Sequence, residues 1–118
     1  MTIVLYHNPR CSKSRKTLQL LEDNGVTAQI IEYLKMPPSP KELLELAELL
    51  GVRMAEIVRT GEPAFAAIRD TVSLADDRAL ARAISDNPIL LQRPIAVDTD
   101  TGEAVIGRPP ENILGLIR

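Results

Sequence analysis

The chain has 118 residues, 45% hydrophobic and 25% charged, a balance that supports one globular domain over residues 1–118 with a buried core. Fourteen lysines and arginines against sixteen acidic residues leave a net charge of −2, so no general basic field exists to draw nucleic acid or an anionic membrane. Any anion site has to be built locally from a few arginines. The opening Met1-Thr2-Ile3-Val4-Leu5-Tyr6 lacks the basic and long apolar regions of a signal peptide, and no apolar run approaches spanning length, so a cytoplasmic location with no membrane partner is expected.

In chain order, Thr2 to Tyr6 is a short apolar run rich in β-formers, broken by His7-Asn8-Pro9, and predicts a first buried strand. From Ser12 to Asn24, Leu18, Leu20 and Leu21 suit a helix that Gly25 terminates. Gln29 to Tyr33, centred on Ile30 and Ile31, predicts a second strand and completes a β-α-β unit, which Pro37 and Pro38 close. Ser39-Pro40-Lys41-Glu42 is a capping box with proline at the first helical position, followed by the stripe Leu43, Leu46, Ala47 and Leu50 up to Gly51. Shorter helices are expected over Met54 to Arg59 and Pro63 to Arg69. Another is expected over Asp77 to Ser85, with Leu80, Ala83 and Ile84 as its apolar face and Asp86-Asn87-Pro88 as its stop. Ile95 to Val97 and Ala104 to Ile106 bracket a Gly-containing loop and predict a hairpin; a last helix is expected from Glu111 to Ile117. This order belongs to the α/β class. It suits a thioredoxin-like fold with a helical insertion, a small mixed sheet of about four strands flanked by helices.

The only cysteine is Cys11, so an intramolecular disulfide is excluded, which fits a reducing compartment. Two assignments of Cys11 are open on the residues alone. Free cysteines often serve as small buried hydrophobes. Against that, Cys11 falls between a strand and a helix among polar residues, where unpaired N–H groups and the helix dipole favour thiolate. Arg10, Lys13 and Arg15 add positive charge around it. The spacing Cys11-x-x-Ser14 puts a hydroxyl where a dithiol enzyme carries its second cysteine, so a resolving thiol has to come from another molecule.

Three arginines are candidates for an oxyanion site. Arg59 is expected at a helix end beside Gly61, Arg93 precedes Pro94 at a strand entry, and Arg108 lies between Gly107 and Pro109 at a strand exit. A planar, permanently charged guanidinium holds a tetrahedral oxyanion through paired hydrogen bonds better than lysine does. Arg59 and Arg108 are each equally consistent with a solvated surface arginine. The Arg93-Pro94 bond is a candidate for the cis isomer, although trans is the common form. His7 could tune the thiol or shape the loop, a hydrogen-bonded structural histidine being the commoner outcome.

His7-Asn8-Pro9-Arg10-Cys11-Ser12-Lys13-Ser14-Arg15, followed downstream by Arg93-Pro94-Ile95 and Gly107-Arg108-Pro109, resembles the glutaredoxin-dependent arsenate reductase family, ArsC-like and thioredoxin-like in fold. The resemblance extends over essentially the whole chain. It implies that Cys11 is the catalytic nucleophile, that Arg59, Arg93 and Arg108 bind substrate, that His7, Asn8, Ser14 and Arg15 support the site, and that Arg93-Pro94 is cis. It also implies the reduction of arsenate to arsenite through a thiol-arsenate adduct on Cys11 and a Cys11-glutathione mixed disulfide that glutaredoxin resolves. Glutathione is then a cosubstrate and glutaredoxin a protein partner, with no metal and no tightly bound cofactor expected. Two other readings share the fold: an Spx-like regulator that binds RNA polymerase, and a general glutathione-linked thiol oxidoreductase without arsenate activity. The first usually switches through C-x-x-C, which Cys11-x-x-Ser14 lacks, and the second has no need of three arginines.

Overall fold

In a computed structural model describing residues 2–117, the first strand forms over Ile3–His7 (β1), one residue later than its sequence suggests. Helix α1 follows at Ser12–Asp23, with Asn24 at its C-cap and Gly25 at φ +74° beyond it, a conformation glycine adopts without cost. The second strand spans Ala28–Glu32 (β2). It runs parallel to β1, with Ile3 opposite Ala28 and His7 opposite Glu32, as the strand-helix-strand order requires. The hairpin forms from β3 (Ile95–Asp98) and β4 (Glu103–Ile106), antiparallel, with Gly102 at φ +78° in its turn.

These strands make one four-stranded mixed sheet in the order β2-β1-β3-β4, with β1 antiparallel to β3. Ile3 and Leu5 share one face of β1, and Ala96 lies opposite Leu5 on β3. Against them pack Leu21 of α1 with Ile113 and Leu116 from the C-terminal segment, forming a single apolar cluster. The α/β, thioredoxin-like architecture is thus present. It forms one compact unit, the described residues up to Met36 together with those from Arg93 onward.

The C-terminal segment departs from its expectation. It is a 3-10 helix over Pro110–Gly115 rather than an α-helix over Glu111 to Ile117. The physical reason lies in the spacing of its apolar residues. Pro110, Ile113 and Leu116 are all buried and recur every third position, and three residues per turn is the 3-10 period. The Leu116 and Ile117 amides accordingly donate to Ile113 and Leu114, three residues back.

Pro37–Gln92 form the other unit, the helical block inserted between β2 and β3. Helix α2 (Pro40–Leu50) starts where Ser39 Oγ accepts from the Glu42 amide at 3.1 Å and stops at Gly51, φ +71°. Helix α3 is a single turn, Pro63–Ala66, shorter than expected because the chain after it closes three-residue turns, Ile68 to Phe65 and Thr71 to Ile68. Helix α4 (Asp77–Asp86) is capped by Asp76, whose carboxylate accepts from the Ala79 amide at 3.0 Å. It packs on α2, burying Leu80, Ala81 and Ile84 against Leu43, Leu46 and Ala47; Ala81 rather than Ala83 completes the stripe. The helix expected over Met54 to Arg59 is only a 3-10 turn, Met54–Glu56. Beyond it Ile57 caps the turn at φ −113° and ψ 7°, and the β-branched Val58 pairs with Leu91 instead of continuing the helix, while the Gln92 amide donates to the Ile57 carbonyl at 2.8 Å. No helix among the described residues is long and apolar enough to cross a membrane.

Candidate active site

β1 delivers the chain to a loop that is tied off at each residue before Cys11. The Asn8 side chain accepts from the Arg10 amide at 3.0 Å, and the Asn8 carbonyl accepts from the Cys11 amide at 3.0 Å, a local turn typical of Asn. Fully buried Ser14 reaches back from α1 so that its Oγ accepts from the Asn8 amide at 3.1 Å and shares a 2.6 Å hydrogen bond with His7 Nδ1. Arg15 Nη1 donates to the Pro9 carbonyl at 2.9 Å. His7, Asn8, Ser14 and Arg15 are therefore all built into the loop that presents Cys11. The hydroxyl in the place of a second cysteine is spent on that loop.

Cys11 is the N-cap residue of α1, in extended conformation and partly exposed. The open first turn of the helix, with its free N–H groups, lies beside the Cys11 thiol. Burial alone would raise the thiol above its ordinary value. The Ser14 amide, the Arg93 guanidinium by hydrogen bond and charge, and the Lys13 amide together outweigh burial and lower it. The sequence pointed to the charge of Lys13; its backbone N–H is among the groups that lower the thiol. For His7, burial is the largest cause and lowers its affinity for a proton; Glu32 works in the opposite sense and Arg15 adds to the lowering.

Two of the candidate arginines converge on the sulfur from the far end of the unit. Arg108 Nη2 lies 3.6 Å from Cys11 Sγ, and its Nε donates to the Arg93 carbonyl at 2.6 Å. Both side chains are half-buried, not spread into solvent. The Arg93-Pro94 bond is cis, as the resemblance implied, and so is Arg108-Pro109, which the sequence had not singled out. Arg59 lies in the helical unit and is not at a helix end. Its amide donates to Leu90 at 2.7 Å, its Nε to Glu62 Oε1 at 3.1 Å and its Nη1 to Gln92 Oε1 at 3.4 Å.

The arrangement offers a nucleophilic sulfur with guanidinium groups at hand for a bound anion and for the charge of an adduct. Sequence reasoning missed what seats Arg108. Gly107 fits so tightly that an added Cβ would stand 2.6 Å from Thr17 Oγ1 and 2.7 Å from Pro94 Cγ. Asn112 holds the same turn from the other side. The run Gly107-Arg108-Pro109-Pro110 was the available signal, since a glycine between bulky neighbours marks a close approach.

Residues 6–116 match the ArsC family. The chain is 42% identical over 116 residues to the uncharacterised protein YfgD of Escherichia coli, spanning 98% of this chain and 96% of that one. It is 42% identical over 112 residues to the arsenate reductase of Neisseria meningitidis, spanning 94% of each. In structure it is similar to an arsenate reductase from Vibrio cholerae, with a TM-score of 0.92 and 42% identity over 99% of this chain and 98% of that one. Because the family match takes in the Cys11 loop, the helical block and both the Arg93 and Arg108 segments, the chain belongs to the ArsC family.

Proposed function

We propose that this protein is an arsenate reductase that works with glutathione and glutaredoxin in the cytoplasm. The observation that carries the reading is the 3.6 Å approach of the Arg108 guanidinium to the Cys11 sulfur, in a chain whose relatives include arsenate reductases. A thiolate paired with guanidinium is a nucleophile already placed among anion-binding groups.

The Cys11 thiolate attacks arsenic, forming a sulfur-arsenic bond while an arsenic-oxygen bond breaks and the oxygen leaves, protonated, as water. Arg93 and Arg108 compensate the negative charge of arsenate and of the adduct. Glutathione then attacks. Two thiol sulfurs supply the two electrons that take arsenic from the pentavalent to the trivalent state; arsenite leaves, and the sulfurs end joined as a Cys11-glutathione disulfide. A glutaredoxin thiolate attacks the glutathione sulfur and releases Cys11 for another turn. The external thiol is obligatory, because Cys11 is the only cysteine in the sequence.

The test is a coupled assay with glutathione, glutaredoxin, glutathione reductase and NADPH. Wild-type protein is expected to consume NADPH when arsenate is added, and Cys11→Ser is not. No arsenate-dependent consumption by the wild type removes the assignment, and turnover of a glutathione mixed disulfide alone would favour the general oxidoreductase.

A further inference from the structure

Asn112 stands four residues after Arg108, on the first turn of the Pro110–Gly115 segment. Its Nδ2 donates to the carbonyl oxygens of Ile106 and Arg108, at 3.1 Å each. A carboxamide nitrogen has two hydrogens, so both are committed to the turn. The Asn112 amide also donates to the Pro109 carbonyl at 3.0 Å, while the Gly107 amide donates to the Pro94 carbonyl at 2.8 Å. The backbone of Arg108 is therefore held from both sides. From that fixed base its side chain reaches the Arg93 carbonyl and the Cys11 sulfur.

We infer that Asn112 is a positioning residue of the thiol site, whose carboxamide closes the turn across Ile106-Gly107-Arg108 and fixes the direction from which the Arg108 guanidinium meets Cys11 Sγ. None of its hydrogen bonds goes to the sulfur; it acts through Arg108. The inference rests on reading Arg108 as the cation of the Cys11 site and does not depend on which oxyanion the site takes. Asn112 is exposed, so replacing it leaves no buried cavity. What is lost is the tether: Arg108 then samples more directions, and the guanidinium spends less time on the sulfur.

The experiment is the alkylation rate of Cys11 by iodoacetamide at a pH below the thiol's titration, where rate follows the thiolate fraction. Asn112→Ala, and Asn112→Leu, which keeps the branched shape without an N–H, are each expected to slow alkylation about two- to fivefold. In an Arg108→Ala background the same replacements are expected to change nothing, because the group being positioned is gone. A purely structural role would slow both backgrounds alike. Alkylation at the wild-type rate in the Asn112 variants, or equal slowing with and without Arg108, overturns the inference. No arsenate enters the measurement, so its outcome is separate from that of the reductase assay.

Discussion

Arg108 and Cys11 are 97 positions apart in sequence, yet Nη2 of the one lies 3.6 Å from Sγ of the other. The same guanidinium donates through Nε to the Arg93 carbonyl at 2.6 Å. A planar fork can make both contacts at once, and a lysine ammonium on a flexible stem cannot hold the same pair of directions. Arg108→Lys and Arg108→Ala are both expected to lower kcat/KM for arsenate about 10- to 100-fold, the range of a charge-assisted hydrogen bond, with little change in melting temperature. Steady-state kinetics beside thermal melts checks this. A lysine variant within twofold of wild type would show that positive charge alone suffices.

Ser14 serves the same loop from inside the helix. It is fully buried, and its hydroxyl is the common partner of the Asn8 amide and His7 Nδ1. Ser14→Ala leaves two inward-facing polar groups unpaired, at a cost of about 1–3 kcal/mol. For a chain of this size the melting temperature should fall by about 4–12 °C. Calorimetry decides the matter: a melt within one degree of wild type, read against roughly that scale, would mean another group takes over the Ser14 contacts.

Much of this was legible in the sequence where a local rule acts by itself. The strand, breaker and helix signals around Cys11 placed it at a helix start, Ser39 and Gly51 bounded α2, and the β3-β4 hairpin followed from its two short apolar runs and the loop between them. Illegible were choices made by partners distant in sequence. Val58 pairs with Leu91, which pulls Arg59 off the expected helix and sets it beside Gln92. Nothing local to Arg59 encodes that. The three-residue spacing of Pro110, Ile113 and Leu116 was visible, but its meaning depended on the burial of all three and on Ile113 and Leu116 joining the apolar cluster of the sheet and α1. In the Cys11 loop, Ser14 was legible as a missing second thiol and not as the hydrogen-bond centre it is, because that role needs His7 and Asn8 folded back over the helix.

Gly107 tests how much slack the Arg108 turn contains. A methyl group there meets Thr17 Oγ1 and Pro94 Cγ at under 3 Å, and Thr17 Oγ1 is itself committed to the Lys13 carbonyl at 2.9 Å. Gly107→Ala is therefore expected to destabilise the fold by about 1–3 kcal/mol, the usual cost of overpacking, and to slow Cys11 alkylation by displacing Arg108. Gly61→Ala is the matched control, since nothing lies within 4 Å of its added Cβ. Denaturant unfolding of the two variants should separate them clearly, and equal stabilities would mean the Gly107 turn relaxes freely.

The lowered thiol pKa makes a signed prediction for stability. In the fold, burial works against ionisation, but the Ser14 amide, the Arg93 guanidinium and the Lys13 amide more than offset it, so the native thiol titrates below its ordinary value of 9.0. As pH rises, native Cys11 loses its proton before the unfolded chain does. Between the native value and 9.0 the unfolded state binds more protons, and stability must rise with pH across that window. The gain is fully present above 9.0 and lost as pH falls through the native value. Cys11→Ser lacks this contribution and keeps His7, whose own titration cancels in the difference. The unfolding free energy of wild type minus that of Cys11→Ser, measured under reducing conditions at a series of pH values, should climb through the window and then level. A flat difference would mean that the arginine and the helix amides do not outweigh burial, and the thiol would then lack the thiolate character its attack on an oxyanion requires.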